Sequence, residues 1–142
     1  MSEAKQSVSD LYPSLTYADA PAAIEWLCRV FGFEKRLVVP LPDGGVMHSE
    51  LSFGTSVVMV SSPRPDMGRV SPEWQNGRCL ALSVFVEDPD AHYQHTLDEG
   101  AEIVMELCSE EYGARGYMAS DLGGYHWYFA DYRPGAFWDS AE

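Results

Sequence analysis

Residues Ser83–Ile103 read SVFVEDPDAHYQHTLDEGAEI, and this segment contains the clearest secondary-structure signals of the chain. It opens within a strand-like run, Cys79–Val86, in which side chains alternate between two faces. Asp88 and Pro89 then form a typical helix start, because aspartate caps the first free amides and proline fits the first turn. Gly100 ends the helical pattern, and another strand pattern follows. The stretch therefore predicts a strand, a helix and a second strand in succession.

The same order of elements appears in the first half of the chain. A short strand pattern ends before Asp19, and helical spacing covers Pro21–Phe31 until Gly32. Turn sequences rich in glycine and proline separate the strands that follow. Each half is thus predicted as a βαβββ module. The predicted strands are Leu11–Ala18, Glu34–Leu41, Val46–Phe53 and Thr55–Ser61, then Cys79–Val86, Glu102–Leu107, Tyr117–Ser120 and Tyr125–Tyr132.

The turn residues of the two halves are related by one shift along the sequence. Shared turn chemistry at a fixed spacing is what a duplicated fold retains, although glycines are common enough to agree by chance. The repeated order of elements favours duplication. A shift of 69 residues pairs Asp19 with Asp88, Gly44 with Gly113 and Gly54 with Gly123, whereas Gly32 and Gly100 miss that register by one residue.

The 142 residues are predicted to form a single α+β domain. One four-stranded sheet is too small to bury a core alone, so we expect the two modules to pair and to close around a small-molecule pocket. Module one spans about residues 11–62, a linker covers 63–78, module two spans about 79–132, and a tail covers 133–142.

The composition excludes several classes of partner. Nine Lys and Arg against 22 Asp and Glu give a net charge of −13, and no basic cluster offsets it, so neither nucleic acid nor an anionic membrane is expected to bind. That field favours a neutral or cationic ligand. Cys28, Cys79 and Cys108 follow no disulfide or zinc spacing and are predicted to be buried thiols. With no apolar leader, the chain is expected to be cytoplasmic.

Four segments between about Leu11 and Tyr132 carry a family resemblance: Tyr12–Glu34 with its helix AAIEWLCRVFGFE, HSELSFGTSVVMVSS at His48–Ser62, SVFVEDPDAHYQHTLDEGAEI at Ser83–Ile103 and YGARGYMASDLGGYHWYF at Tyr112–Phe129. In these segments the chain resembles the vicinal oxygen chelate superfamily, in its glyoxalase, bleomycin-resistance and PhnB-like branch. The resemblance implies two βαβββ modules that form a cupped mixed sheet, and a homodimer. It implies the fold more strongly than any one chemistry, because this superfamily carries unrelated activities on one scaffold.

Strand alternation predicts which side chains face the concave side. Met47 and Leu80 are predicted to lie on the opposite, core side. Arg115, in a loop, is expected either to clamp a ligand or to pair with Glu110 or Glu111 at the surface. The predicted ligand-binding residues mix apolar and polar groups, as ligand cavities do. They are His48, Glu50, Met59, Ser83, Phe85, Arg115, His126 and Tyr128.

The resemblance also implies where a metal would be held. Metal-dependent members place His, Gln or Glu at four positions that correspond here to Tyr12, Met59, Ala81 and Tyr128, and none of these is a credible ligand of a divalent cation. We therefore predict no cofactor. The alternative is a relocated metal site at His48, Glu50 and His126.

These expectations favour a metal-independent protein that binds a small molecule; whether it is also an enzyme is left open, with no enzymatic activity as the favoured interpretation. An antibiotic-like compound, sequestered by the protein, is the expected ligand class. The alternative is a metal-dependent enzyme of the same superfamily, a lyase, isomerase or dioxygenase with an unusual ligand set. His92 and His95 are interpreted as surface residues of the second helix, and Trp74 and Trp138 as candidates for a pocket lid or a dimer contact.

Overall fold

The structure, a computed structural model, describes residues 9–74 and 80–136. The chain divides into two compact units at residues 78 and 79, with the turn Leu122–Gly124 grouped with the first. The predicted lid residue Trp138 and the thiol of Cys79 lie outside the described residues, as does the side chain of Trp74. Within those residues, no helix is long and apolar enough to cross a membrane.

The described part of the first unit contains one four-stranded sheet, one α-helix followed by a π-helical turn, and two short 3-10 helices, Pro65–Met67 and Pro72–Trp74. Its sheet has the order β1-β4-β3-β2, with β1 parallel to β4 and the other neighbours antiparallel. The predicted helix divides into an α-helical part and a π-helical turn, Leu27–Phe31, which ends at Gly32 in the left-handed conformation. The elements are β1 (Ser14–Thr16), α1 (Ala20–Trp26), β2 (Glu34–Pro40), β3 (Val46–Phe53) and β4 (Ser56–Ser61).

The second unit repeats this topology. Its sheet has the order β5-β8-β7-β6, again with the first and last strands parallel. The sequence therefore predicted the α+β class and both βαβββ modules correctly. The elements are β5 (Ala81–Phe85), α2 (Pro89–Asp98), β6 (Glu102–Ser109), β7 (Arg115–Ser120) and β8 (His126–Ala130).

Equivalent contacts in the two units confirm the 69-residue repeat. The Asp19 carboxylate accepts a hydrogen bond from the amide of Ala22, and the Asp88 carboxylate accepts one from the amide of Ala91, the same contact one repeat later. Strand pairing keeps the same shift, since Ser14 lies opposite Met59 in β4 and Ser83 lies opposite Tyr128 in β8.

Each sheet buries one face against its helix. In the first unit Leu15, Leu51 and Val60 are fully or almost fully buried on the side that α1 covers. In the second, Tyr117, Trp127 and Phe129 are buried on the side of α2. These packed faces supply most of the hydrophobic stabilisation, at about 25 cal/mol per Å² of apolar surface removed from water.

Some burial predictions were wrong. Met47 is 59% exposed and Leu80 is 49% exposed. Met47 lies near the start of β3, and Leu80 precedes β5. At strand ends, alternation predicts the face of a side chain but not whether another element packs on that face. Cys28 and Cys108 are half-buried instead of buried.

Gly116 allows β7 to approach β8 closely. A Cβ atom added there would lie 2.4 Å from the carbonyl oxygen of Phe129 and 2.6 Å from the Cβ of Ala130. Backbone would have to move to relieve these contacts, so no larger residue fits this place in the sheet.

Replacing Asp88 with alanine should lower the free energy of unfolding by about 1 kcal/mol, because the first turn of α2 loses its cap. Urea denaturation followed by circular dichroism measures the loss. Asp98→Ala, at the other end of the same helix, is the control and should lower the free energy of unfolding by clearly less. Equal losses for the two variants would contradict the capping role.

Candidate ligand-binding faces

In the first unit, three predicted site residues share the sheet face opposite α1. Glu50 on β3 lies directly opposite Met59 on β4, and both alternate with the buried Leu51 and Val58. His48 is two residues from Glu50 on the same strand and therefore points to the same side. We call His48, Glu50 and Met59 the module-one face.

The polar groups of the module-one face form a contact with each other. Nε2 of His48 lies 2.8 Å from Oε2 of Glu50, and the two side chains are 39% and 41% exposed. The carboxylate can accept hydrogen bonds from a ligand ammonium, amide or hydroxyl group, while the imidazole orients it.

In the second unit, four predicted site residues share the face opposite α2. The parallel register of β5 and β8 places Ser83 directly opposite Tyr128, with Phe85 and His126 on the same side of the sheet. This side alternates with the buried Trp127 and Phe129. We call Ser83, Phe85, His126 and Tyr128 the module-two face.

The hydroxyl of Tyr128 has an unusual environment. It is shielded from solvent and lacks a hydrogen-bond partner of good geometry among the described residues. Burial, and next the neighbouring Tyr112 hydroxyl, raise the pKa of Tyr128 above its ordinary value, so the group stays protonated and keeps its donor. A buried hydroxyl without a partner costs about 1–3 kcal/mol.

Arg115 does not lie on the module-two face. Its guanidinium reaches α2, where Nε and Nη2 donate to the two carboxylate oxygens of Asp90 at 2.8 and 2.9 Å, and Nη1 donates to Ser109. The predicted partners Glu110 and Glu111 were wrong, and the side chain is already engaged in a bidentate pair. Because Arg115 occupies the first residue of β7, its direction follows the strand and not a free loop.

His92 is not a surface residue, contrary to the sequence interpretation. Its Nδ1 lies within hydrogen-bonding distance of the Tyr117 hydroxyl, and its ring centroid is 4.4 Å from that of Phe129. The Tyr117 hydroxyl also contacts Oγ1 of Thr96 at 2.7 Å. His95 is exposed, as predicted. The polar cluster of His92, Thr96 and Tyr117 joins α2 to its sheet.

The four positions at which the resemblance places metal ligands do not fit a divalent cation. Ala81 has no donor atom, and Met59 has only a thioether. Tyr128 keeps its proton, and the hydroxyl of Tyr12 donates to the carbonyl of Ser9. Nowhere in residues 9–74 or 80–136 do three or more His, Cys, Asp or Glu side chains group as metal ligands would. That result gives no support to a relocated site at His48, Glu50 and His126.

A cavity of about 540 Å³ lies on the outer side of α1, away from the predicted residues. Burial raises the pKa of the Cys28 thiol at this cavity, so the thiol is held in its less reactive form. The cavity is lined by Pro21, Ile24, Glu25, Cys28, Arg29 and Lys35.

The Arg115–Asp90 pair should make stability depend on pH. Its hydrogen bonds hold the pKa of Asp90 below the ordinary value of 3.8, so the stabilisation is present at neutral pH and is lost as the pH falls below 3.8. The difference in unfolding free energy between the wild type and Asp90→Asn should therefore narrow on acidification. Denaturant titrations between pH 7 and low pH measure this difference in unfolding free energy. A difference that stays constant with pH would contradict the role of the Arg115–Asp90 pair. Asp10→Asn is the control.

A protein family and several proteins are similar to this chain in sequence. The family profile of the Glyoxalase/Bleomycin resistance protein/Dioxygenase superfamily matches residues 11–129. Two uncharacterized proteins, Mb0911c of Mycobacterium bovis and Rv0887c of Mycobacterium tuberculosis, are each 32% identical to this chain over 120 residues. The matches cover 82% of this chain, 79% of Mb0911c and 71% of Rv0887c.

Solved structures of the same fold are numerous. TioX from Micromonospora sp. ML1 has a TM-score of 0.71 and 35% identity, over 86% of this chain and 97% of TioX. A glyoxalase I mutant from Zea mays has a TM-score of 0.69 and 17% identity, over 86% of this chain and 44% of that one. The latter identity supports the fold alone. The chain belongs to the glyoxalase/bleomycin resistance protein/dioxygenase superfamily.

Proposed function

We propose that this protein binds a small, partly aromatic organic molecule on its module-two face, without a metal. The single observation that carries the proposal is the shielded Tyr128 hydroxyl with no good hydrogen-bond partner among the described residues. Phenylalanine would pack in the same place without that cost, since the neighbouring Tyr112 hydroxyl gives no hydrogen bond of good geometry. An acceptor atom on a bound ligand supplies the missing partner.

Each face, taken by itself, suits a ligand that is apolar in part. Phe85 provides apolar surface on the module-two face and Met59 provides it on the module-one face, and burial of ligand area against such a side chain is worth about 25 cal/mol per Å². Glu50 and His48 provide a hydrogen-bonding pair for a polar substituent. The chain's net charge of −13 favours a neutral or cationic molecule over an anion.

Metal independence is part of the proposal because of the donor chemistry. The positions that hold metal in metal-dependent relatives carry alanine, methionine and tyrosine side chains here, which bind divalent cations poorly. Binding without catalysis is then the simplest activity: the protein lowers the free concentration of its ligand.

The biological role proposed here is sequestration of an antibiotic-like compound, as in bleomycin-resistance proteins of the superfamily to which the chain belongs. We propose further that the protein acts in the cytoplasm as a homodimer. Sedimentation equilibrium tests the dimer.

Tyr128→Phe should weaken ligand binding by roughly tenfold, because the ligand loses a hydrogen bond worth about 1.4 kcal/mol. Its free energy of unfolding should be unchanged or higher, since an unpaired buried hydroxyl is removed. A thermal-shift screen of aromatic amides and amines supplies the ligand, and calorimetry measures affinity.

Tyr117→Phe is the matched control on the opposite side of the same sheet. It removes the contacts to Thr96 and His92 and should lower stability by about 1–3 kcal/mol with no change in affinity. If Tyr128→Phe lowered stability and spared binding, the proposed role of Tyr128 would be wrong.

Chelation should leave binding intact. Affinity for a hit from the screen, measured before and after dialysis against EDTA, should agree within about twofold, since no charged metal contact worth 1 kcal/mol or more is lost. Elemental analysis of the purified protein should find metal far below one equivalent. A stoichiometric metal whose removal abolishes binding would establish the metal-dependent alternative instead.

A further inference from the structure

The guanidinium of Arg133 lies over an aromatic ring of the module-two face. Its Cζ is 3.4 Å from the ring centroid of Phe85, a distance typical of a stacked cation–π contact. Stacking uses the face of the guanidinium and leaves its N–H groups pointing outward in the plane. The ring of Phe85 thus fixes the orientation of five potential donors.

These donors have no acidic partner among the residues that the structure describes. Among the described residues, four arginines form ion pairs with carboxylates, namely Arg29, Arg36, Arg64 and Arg115. Arg133 forms none with a described residue, although the chain has 22 acidic residues. A guanidinium that is oriented by an aromatic ring and left unpaired is suited to bind an external acceptor.

No sequence pattern indicated this residue, since Arg133 follows the last strand in a segment with no repeat partner. Arg115, the arginine that the sequence did suggest, is engaged by Asp90. Phe85 is in the same strand as Ser83, the residue paired with Tyr128, so the stacked guanidinium and the Tyr128 hydroxyl belong to one sheet face.

We propose that Arg133 determines specificity by donating hydrogen bonds to a carbonyl oxygen of the bound aromatic molecule. This inference rests on the proposed binding function and names its ligand class: a neutral aromatic compound that bears a ketone or amide carbonyl. A carbonyl is the acceptor that fits, because the net negative field disfavours anionic acceptors while a neutral carbonyl oxygen, with two lone pairs, can accept from the planar guanidinium donors.

A matched pair of compounds tests the carbonyl requirement. 2-Acetylnaphthalene and 2-isopropenylnaphthalene have nearly the same shape, but only the first carries an acceptor oxygen. Affinities for the full-length protein come from NMR titrations that follow backbone amides and arginine Nε–Hε resonances. The ketone should bind about tenfold more tightly than the alkene, since hydrogen bonds to charged groups are the stronger ones.

Substitution of Arg133 identifies the donor. In Arg133→Met, which keeps an unbranched apolar stem, the preference for the ketone should fall to within about twofold. Arg69→Met removes an exposed arginine of the other unit and should leave the preference unchanged. Arg133→Lys keeps the charge but not the planar donors, so it should retain only part of the preference.

The outcomes separate this inference from the function on which it rests. Equal binding of both compounds by the wild type, or a preference that persists in Arg133→Met, overturns the role of Arg133 and leaves small-molecule binding in place. Binding of neither compound contradicts the proposed binding of neutral aromatic molecules itself, and this inference with it.

Discussion

The parallel pairing of the first and last strands in each sheet is the constraint on which both faces depend. Ser14 opposite Met59 and Ser83 opposite Tyr128 set the register of the two central strand pairs. Once that register is fixed, alternation sends every second side chain to the helix and the remainder to the other side. A slip of one residue would bury Tyr128 against α2 and expose Trp127.

Local sequence signals predicted the framework of the fold well. The caps at Asp19 and Asp88 and the left-handed turn at Gly32 depend on a few adjacent residues, so the local sequence is enough to predict them. The faces of β3, β5 and β8 followed from alternation, which is equally local. Duplication strengthened each assignment, because the same signals occur twice in one chain.

What the sequence could not provide is the choice of long-range partners. Arg115 forms hydrogen bonds with Asp90, and His92 contacts the hydroxyl of Tyr117. Each pair is separated by 25 residues in the sequence and is brought together because α2 packs over β7. Exposure at the strand ends likewise depends on the layer above, as Met47 shows. The contact of Arg133 with Phe85 could not be predicted, because cation–π contacts are not associated with a regular spacing of residues in the sequence.

Two groups on one sheet face are available to a ligand: the shielded hydroxyl of Tyr128 and the exposed guanidinium of Arg133, which lies over the ring of Phe85. The most direct test locates a bound ligand on that sheet. Intermolecular NOEs between a screening hit and selectively labelled tyrosine side chains should involve Tyr128 and be absent for Tyr117 on the helix side. NOEs to Tyr117 alone, or ligand contacts confined to the cavity beside Cys28, would contradict the account.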